Sequence, residues 1–259
     1  MREAEEGFRV ELRLYTASHF INAEVPHMSH SSHAGGALVL IAFAFVTTTQ
    51  ARPGPWASEF EIATINVERN ATDGDTEVVL SIKPGDEGLK YLAVRAPNKR
   101  SIIDVFSVDR SVMGMREFEL ESPEPAGSAI LAAYPQGIYK FTGLSTSGEW
   151  FYGEARLSHQ MPAETVIMSP AEGSEVVAGP LRLEWSAVPG LRKVVVELEN
   201  ESSDPEQILS VELPPDATSL DVPAAFMRPG SDYQLGIATV GTDGNITVVE
   251  ITFTTAPQF

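Results

Sequence analysis

The sequence predicts an all-β chain built from two consecutive antiparallel β-sandwiches behind an N-terminal leader. Three observations carry this: apolar residues alternate with polar ones from Phe60 onward, Gly/Pro/Asp/Asn turn signals separate the alternating runs, and one uncharged apolar run lies near the N-terminus.

The leader comes first in the chain. Residues 1–34 mix acids, bases and histidines without periodicity, and are followed by the uncharged run Ala37–Val46. Ten residues span roughly 15 Å as a helix, half of a bilayer core. That length suits the apolar core of a signal peptide better than a membrane span. Thr49 and Ala51 place small residues at the positions a signal peptidase reads, and Arg52-Pro53-Gly54-Pro55 breaks any helix. The expectation is cleavage after Ala51, with residues 1–51 as leader, 52–59 as linker, and no membrane span in the mature chain. An uncleaved anchor and a buried core segment are the alternative readings of the same run. Met28 stands at a better distance from the apolar run than Met1, so translation is expected to begin there, although only His30 and His33 then supply positive charge. Mass spectrometry of the cellular precursor tests this: a precursor retaining residues 1–27 refutes it. Cleavage would remove His19, His27, His30 and His33 and leave His159 as the one histidine of the mature chain.

Composition narrows the chemistry. The net charge of −18 repels phosphate backbones, which argues against a nucleic-acid partner. The absence of Cys excludes disulfides, thiolate metal sites and cysteine nucleophiles. A hydrophobic fraction of 43% is enough to bury a core without them.

The first sandwich is expected over residues 60–162. Phe60, Ile62 and Thr64 alternate with polar neighbours and lead into Ile65 and Val67. Val78, Leu80 and Ile82 form a second strand, Tyr91, Ala93 and Val94 a third, and Ile102, Ile103, Val105 and Val108 a fourth. Phe118 and Leu120, then Tyr139 and Phe141, then Trp150, Tyr152, Ala155 and Leu157 supply three more. Asp73-Gly74-Asp75, Pro84-Gly85-Asp86, Pro97-Asn98 and Ser147-Gly148 mark the turns. The alanine-rich stretch 126–133, bounded by Pro125 and Pro135, reads as one short helix across an end of the sandwich.

The second sandwich is expected over residues 163–259. Leu181, Leu183 and Trp185 share one strand face. Val194, Val196 and Leu198 follow, then Leu209, Val211 and Leu213, then Leu220 and Val222. Tyr233, Leu235, Ile237 and Thr239 alternate up to the hairpin signal Asp243-Gly244-Asn245. Beyond it Ile246, Val248, Glu250 and Thr252 point one way, and Val249, Ile251 and Phe253 the other.

Trp185 followed by Pro189, and the stretch Met227–Tyr233, give this half a resemblance to the fibronectin type III module, an immunoglobulin-like sandwich. The resemblance implies that Trp185 is a core residue and that Tyr233 forms a tyrosine corner, its hydroxyl bonded to upstream backbone. The chain from residue 52 onward also resembles bacterial exported proteins that pair such a module with a preceding β-domain. The supporting segments are Ala71–Asp75, Tyr134–Phe141 and Leu157–Pro162. That group has no assigned activity, so the resemblance implies a fold and no reaction. No Arg-Gly-Asp triplet points to integrin-type adhesion.

Candidate sites are few. Asp73, Asp75 and Glu77 stand two apart, so an extended chain projects them to one side, where they could converge on calcium with help from Asn70. The competing reading is a plain hairpin turn, because aspartate bonds its own backbone there. No other cofactor is expected. His159 lacks the G-x-S-x-G or H-E-x-x-H context of a catalytic residue and is expected where the two domains meet. Trp150, Phe151 and Tyr152 form an aromatic cluster that either packs in the core or stacks on a sugar. Glu149 and Glu154 beside it are too common a pairing in so acidic a chain to indicate a glycosidase. The function expected is an exported, non-catalytic binding or protein-interaction protein of unknown partner, periplasmic or extracellular. The alternative is a glycan-binding or enzyme-accessory protein of the envelope. Exposure of Trp150 and Tyr152 as a platform favours the glycan; their burial favours the protein partner.

Overall fold

The computed structural model describes residues 57–107, 114–123 and 127–258. The apolar run Ala37–Val46, Met28, the expected cleavage point at Ala51 and the leader histidines lie outside the described residues.

Within them the chain is all-β with one short helix. The first half contains β1 (Ala57–Glu59), β2 (Ile62–Asn70), β3 (Thr76–Lys83), β4 (Leu89–Arg95), β5 (Ser101–Phe106), β6 (Phe118–Glu121), α1 (Gly127–Ala133), β7 (Gly137–Ser145) and β8 (Trp150–Leu157). A five-stranded sheet of order β1-β8-β7-β4-β5 packs against β2-β3-β6. Ile65, Val67, Val78, Leu80, Leu92, Val94, Tyr139 and Phe141 fill the space between them. Alternation explains these elements: inward Val78, Leu80 and Ile82 are all at most 3% exposed. Ile130 of α1 is buried in the same core. The segment expected as linker, 52–59, includes strand β1, which pairs in parallel with β8. Three residues are too few for a period of two to show in the sequence.

The second half contains β9 (Ile167–Ser169), β10 (Glu175–Val176), β11 (Leu181–Trp185), β12 (Leu191–Asn200), β13 (Gln207–Leu213), β14 (Ser219–Val222), β15 (Asp232–Gly241) and β16 (Ile246–Thr255). The sheet β14-β11-β9 faces β13-β12-β15-β16 across a core centred on Trp185, Tyr233, Leu235 and Phe253. The Trp185 indole donates to Ala217 O at 2.9 Å. The tyrosine corner is present. The Tyr233 hydroxyl donates to Phe226 O at 2.9 Å and accepts from Arg228 N at 2.6 Å, while its ring stacks on Phe253 at 5.4 Å. A fully buried ring thereby keeps a satisfied polar tip. These features agree with the fibronectin type III-like fold expected of this half. Tyr139 makes a similar arrangement in the first half, donating to Pro135 O at 3.0 Å.

The two sandwiches have separate cores but a shared backbone sheet. β16 pairs in parallel with β2, with Ile246 opposite Glu68 and Val248 opposite Asn70. One sheet therefore runs β13-β12-β15-β16-β2-β3-β6 through both halves. Asn245 prolongs this seam with its side chain. Its Oδ1 accepts from Val67 N at 2.8 Å, and its Nδ2 donates to Ser158 O at 3.1 Å and Gln160 O at 3.0 Å. The connecting segment is fastened too: Thr247 Oγ1 donates to Pro162 O at 2.9 Å and Thr239 Oγ1 to Ala163 O at 3.0 Å.

The face of this long sheet turned away from both cores departs from simple alternation. Val195, Ala238, Val240, Ile246 and Val248 form a third apolar cluster on it. Glu197 beside them is 6% exposed, and Glu68 follows across the seam. Burial, the largest influence, pushes Glu68 up to about 8 from an ordinary 4.5, with Glu77, Glu119 and Glu121 adding like charge. Burial likewise pushes Glu197 up to about 7. A carboxyl whose folded value is raised holds its proton in the native state where the unfolded chain has lost it. Its contribution to stability is then present below the unfolded value and declines as pH rises through the window from about 4.5 to about 8. The expected outcome is a melting temperature that falls between pH 5 and pH 8, and a flatter profile in Glu68→Gln, whose amide oxygen can still accept the 2.9 Å bond from Asn66 Nδ2. Calorimetry at the two pH values checks this, and a wild-type melting temperature that rises over the interval contradicts it.

Candidate ligand-binding face

The outer surface of the five-stranded sheet gathers the aromatic residues. In β8 the alternation drives Phe151 inward, where it is 6% exposed and meets the Phe60 ring at 5.7 Å between centroids. Trp150 and Tyr152 must then point outward. Two glycines make room for Phe60: a Cβ at Gly143 would lie 2.9 Å from its Cζ, and one at Gly153 would lie 3.2 Å from its Cδ2. Gly148, at φ 100°, closes the β7–β8 hairpin in a conformation that favours glycine and so fixes the register.

That register aligns side chains across four strands. Trp150 on β8 pairs with Leu144 on β7, Leu144 with Tyr91 on β4, and Tyr91 with Phe106 on β5. The four form one row transverse to the strands. Trp150 is 45% exposed and Phe106 58%, while Tyr91 and Leu144 are half-buried between them. The next row along the strands is polar, with Tyr152, Thr142 and Asp104 in register around the buried Ala93. A third row places Glu154, Lys140 and Arg95 together. Lys140 Nζ lies 3.3 Å from Glu154 Oε1, which also accepts from the Tyr152 hydroxyl. Burial first and the Asp104 carboxylate second push the Tyr91 phenol up; burial and the bond to Glu154 do the same for Tyr152. Both phenols therefore keep their protons as hydrogen-bond donors at neutral pH.

The other candidates fall elsewhere. Asp73 and Asp75 are exposed in the β2–β3 turn, where Asp73 Oδ1 accepts from Asp75 N at 3.0 Å. Asn70 Oδ1 accepts from Thr72 N at 2.9 Å, and its Nδ2 donates to Glu250 at 2.6 Å. Glu77 lies on β3 opposite Glu68, on the outer face of the long sheet. Among the described residues no three acidic or histidine side chains come together in metal-ligand fashion. His159 lies in the segment joining the sandwiches, its Nε2 2.8 Å from Tyr134 O. A carbonyl can only accept, so that nitrogen carries the proton and is committed as a donor. Glu149 is engaged by Ser58 Oγ.

Sequence reasoning identified Trp150 and Tyr152 but missed Phe106 as a partner. Ile103 and Val105 drew attention in β5, and Phe106 falls on the opposite parity; that parity was the available signal.

No protein-family model matches the chain, and no curated protein sequence does. Among solved structures it is similar to the FN1-FN3 domains of chicken CNTN1, at 9% identity and a TM-score of 0.31. That match covers 77% of this chain and 65% of the other, so the chain spans about two thirds of that segment. A segment of two fibronectin type III domains from chicken tenascin is similar at 11% identity and a TM-score of 0.28, with 75% of this chain and 98% of the other covered.

Proposed function

We propose that this chain is an exported, non-catalytic binding protein that holds its ligand on the outer face of the five-stranded sheet. The observation that carries the reading is the row Trp150–Leu144–Tyr91–Phe106, in which Trp150 is 45% exposed on the outer face of the sheet. Exposed aromatics assembled in register are uncommon on a surface without a contact to make. The uncharged run Ala37–Val46 followed by Thr49-Gln50-Ala51 supports export. The commitment of His159 to a carbonyl, and of Glu149 and Glu154 to neighbouring hydroxyl groups, supports a role without catalysis. The partly open platform favours the glycan over the protein partner, since Trp150 is exposed and Tyr152 only half-buried.

The test is affinity capture from the native envelope or medium, comparing the wild type with a Trp150→Ala/Phe106→Ser variant by quantitative mass spectrometry of proteins and glycans. A species retained by the wild type and lost from the variant is expected. Equal retention by both, or turnover of a substrate in a hydrolase screen, overturns the reading.

A further inference from the structure

Three of the six asparagines stand in the triplet Asn-x-Ser/Thr: Asn70-Ala71-Thr72, Asn200-Glu201-Ser202 and Asn245-Ile246-Thr247. In an exported chain that triplet is the acceptor pattern of N-linked glycosylation. The sequence does not rank the three, but the fold does. A glycosylated asparagine keeps its side-chain carbonyl and one of its two amide hydrogens, and it needs room for a sugar beyond the nitrogen.

Two of the three lack that room. Asn245 is 1% exposed, and its Nδ2 donates to both Ser158 O and Gln160 O, so both hydrogens are committed inside the seam. Asn200 is 0% exposed, and its Nδ2 donates to the Tyr233 hydroxyl at 3.2 Å, inside the tyrosine corner. A sugar on either nitrogen is incompatible with an interior packed as densely as a crystal.

Asn70 differs on each count. It ends β2 and is half-buried, and the residues beyond it, Thr72, Asp73, Gly74 and Asp75, are exposed. Its Oδ1 accepts from Thr72 N at 2.9 Å, a bond that glycosylation leaves intact. Its Nδ2 donates one hydrogen to Glu250 at 2.6 Å, and a second hydrogen is left for the sugar to replace. In the folded chain Thr72 Oγ1 donates to Glu250 O at 3.2 Å and accepts from Glu250 N at 2.8 Å. The hydroxyl that a transferase must reach is therefore engaged once β16 is in place, so transfer precedes folding and the finished fold retains only what it can hold.

We infer that Asn70 is the N-linked glycan acceptor of this chain, and that Asn200 and Asn245 stay unmodified in the folded protein; the inference rests on the exported reading above. The sugar donor is a lipid-linked oligosaccharide diphosphate. The bond from the sugar C1 to the diphosphate oxygen breaks, the C1–Nδ2 bond forms, Nδ2 releases a proton, and the lipid diphosphate leaves.

The experiment is glycopeptide mapping by mass spectrometry of the folded protein recovered from its native envelope or medium, together with its intact mass. A sugar increment on Asn70 is expected, lost in Thr72→Ala and kept in Thr72→Ser, with Asn200 and Asn245 unmodified. A wild type bare at Asn70, an increment on Asn200 or Asn245 of folded protein, or an increment that survives Thr72→Ala overturns the inference. The intact mass separates the two readings. A mature chain that starts at Arg52 and is bare at Asn70 removes the acceptor alone and leaves export standing. A chain found only inside the cell with residues 1–51 attached removes both.

Discussion

Trp185→Ala is expected to destabilise the second sandwich by about 3–5 kcal/mol. Trp185 is 1% exposed and heads the core that includes Leu183, Val196, Tyr233 and Phe253. Truncation removes the indole, leaves a cavity that rigid strands on both sides cannot close, and deprives Ala217 O of its 2.9 Å donor. The loss is a large share of the total stability of a small domain. Thermal melts and urea titrations check it, and a variant melting within a degree or two of the wild type sinks the assigned core.

Asn245→Ala is the second large effect, and it acts on coupling as much as on stability. Asn245 is 1% exposed, and its side chain bonds β2 and the connecting segment at once. Removing it strands the buried Val67 N–H, an unmet group costing about 1–3 kcal/mol, and takes a donor from the part-buried carbonyls of Ser158 and Gln160. The expected total is about 1–3 kcal/mol. The expected signature is a wild type whose urea transitions coincide by fluorescence and by far-ultraviolet dichroism, and a variant in which the two separate. Asn245→Asp adds a second probe: its carboxylate can accept from Val67 N but faces Ser158 O and Gln160 O without a proton to give. Unchanged midpoints with coincident transitions in both variants refute the coupling.

The features legible in the sequence were those with local signatures. Trp185 and Tyr233 declared themselves through alternation and the turn chemistry before Tyr233. The helix declared itself through its alanines and flanking prolines. The seam had no local signature, because Val67 and Asn245 lie 178 positions apart and nothing in β2 alone indicates β16 as a parallel neighbour. β1, β9 and β10 are two or three residues long and too short to show a period. Glu68 and Glu197 mislead in a different way: a strand reader assigns glutamate to water, whereas both lie in the drier part of the long sheet. Half of the candidate face was legible, since Trp150 and Tyr152 stand out in β8. Their alignment with Tyr91 and Phe106 depends on inter-strand register, which hairpin geometry sets and no single strand encodes.

The parallel pairing of β16 with β2 also bears on the habit of treating fibronectin-like modules as interchangeable beads. A fragment beginning near Ala163 would carry every residue of the Trp185 core, yet it would open the rungs at Ile246 and Val248 and leave a bare edge beside an aliphatic stripe. Such edges recruit strands from other molecules. In this chain β2 of the first sandwich occupies that edge, so one sheet runs without a break through both halves.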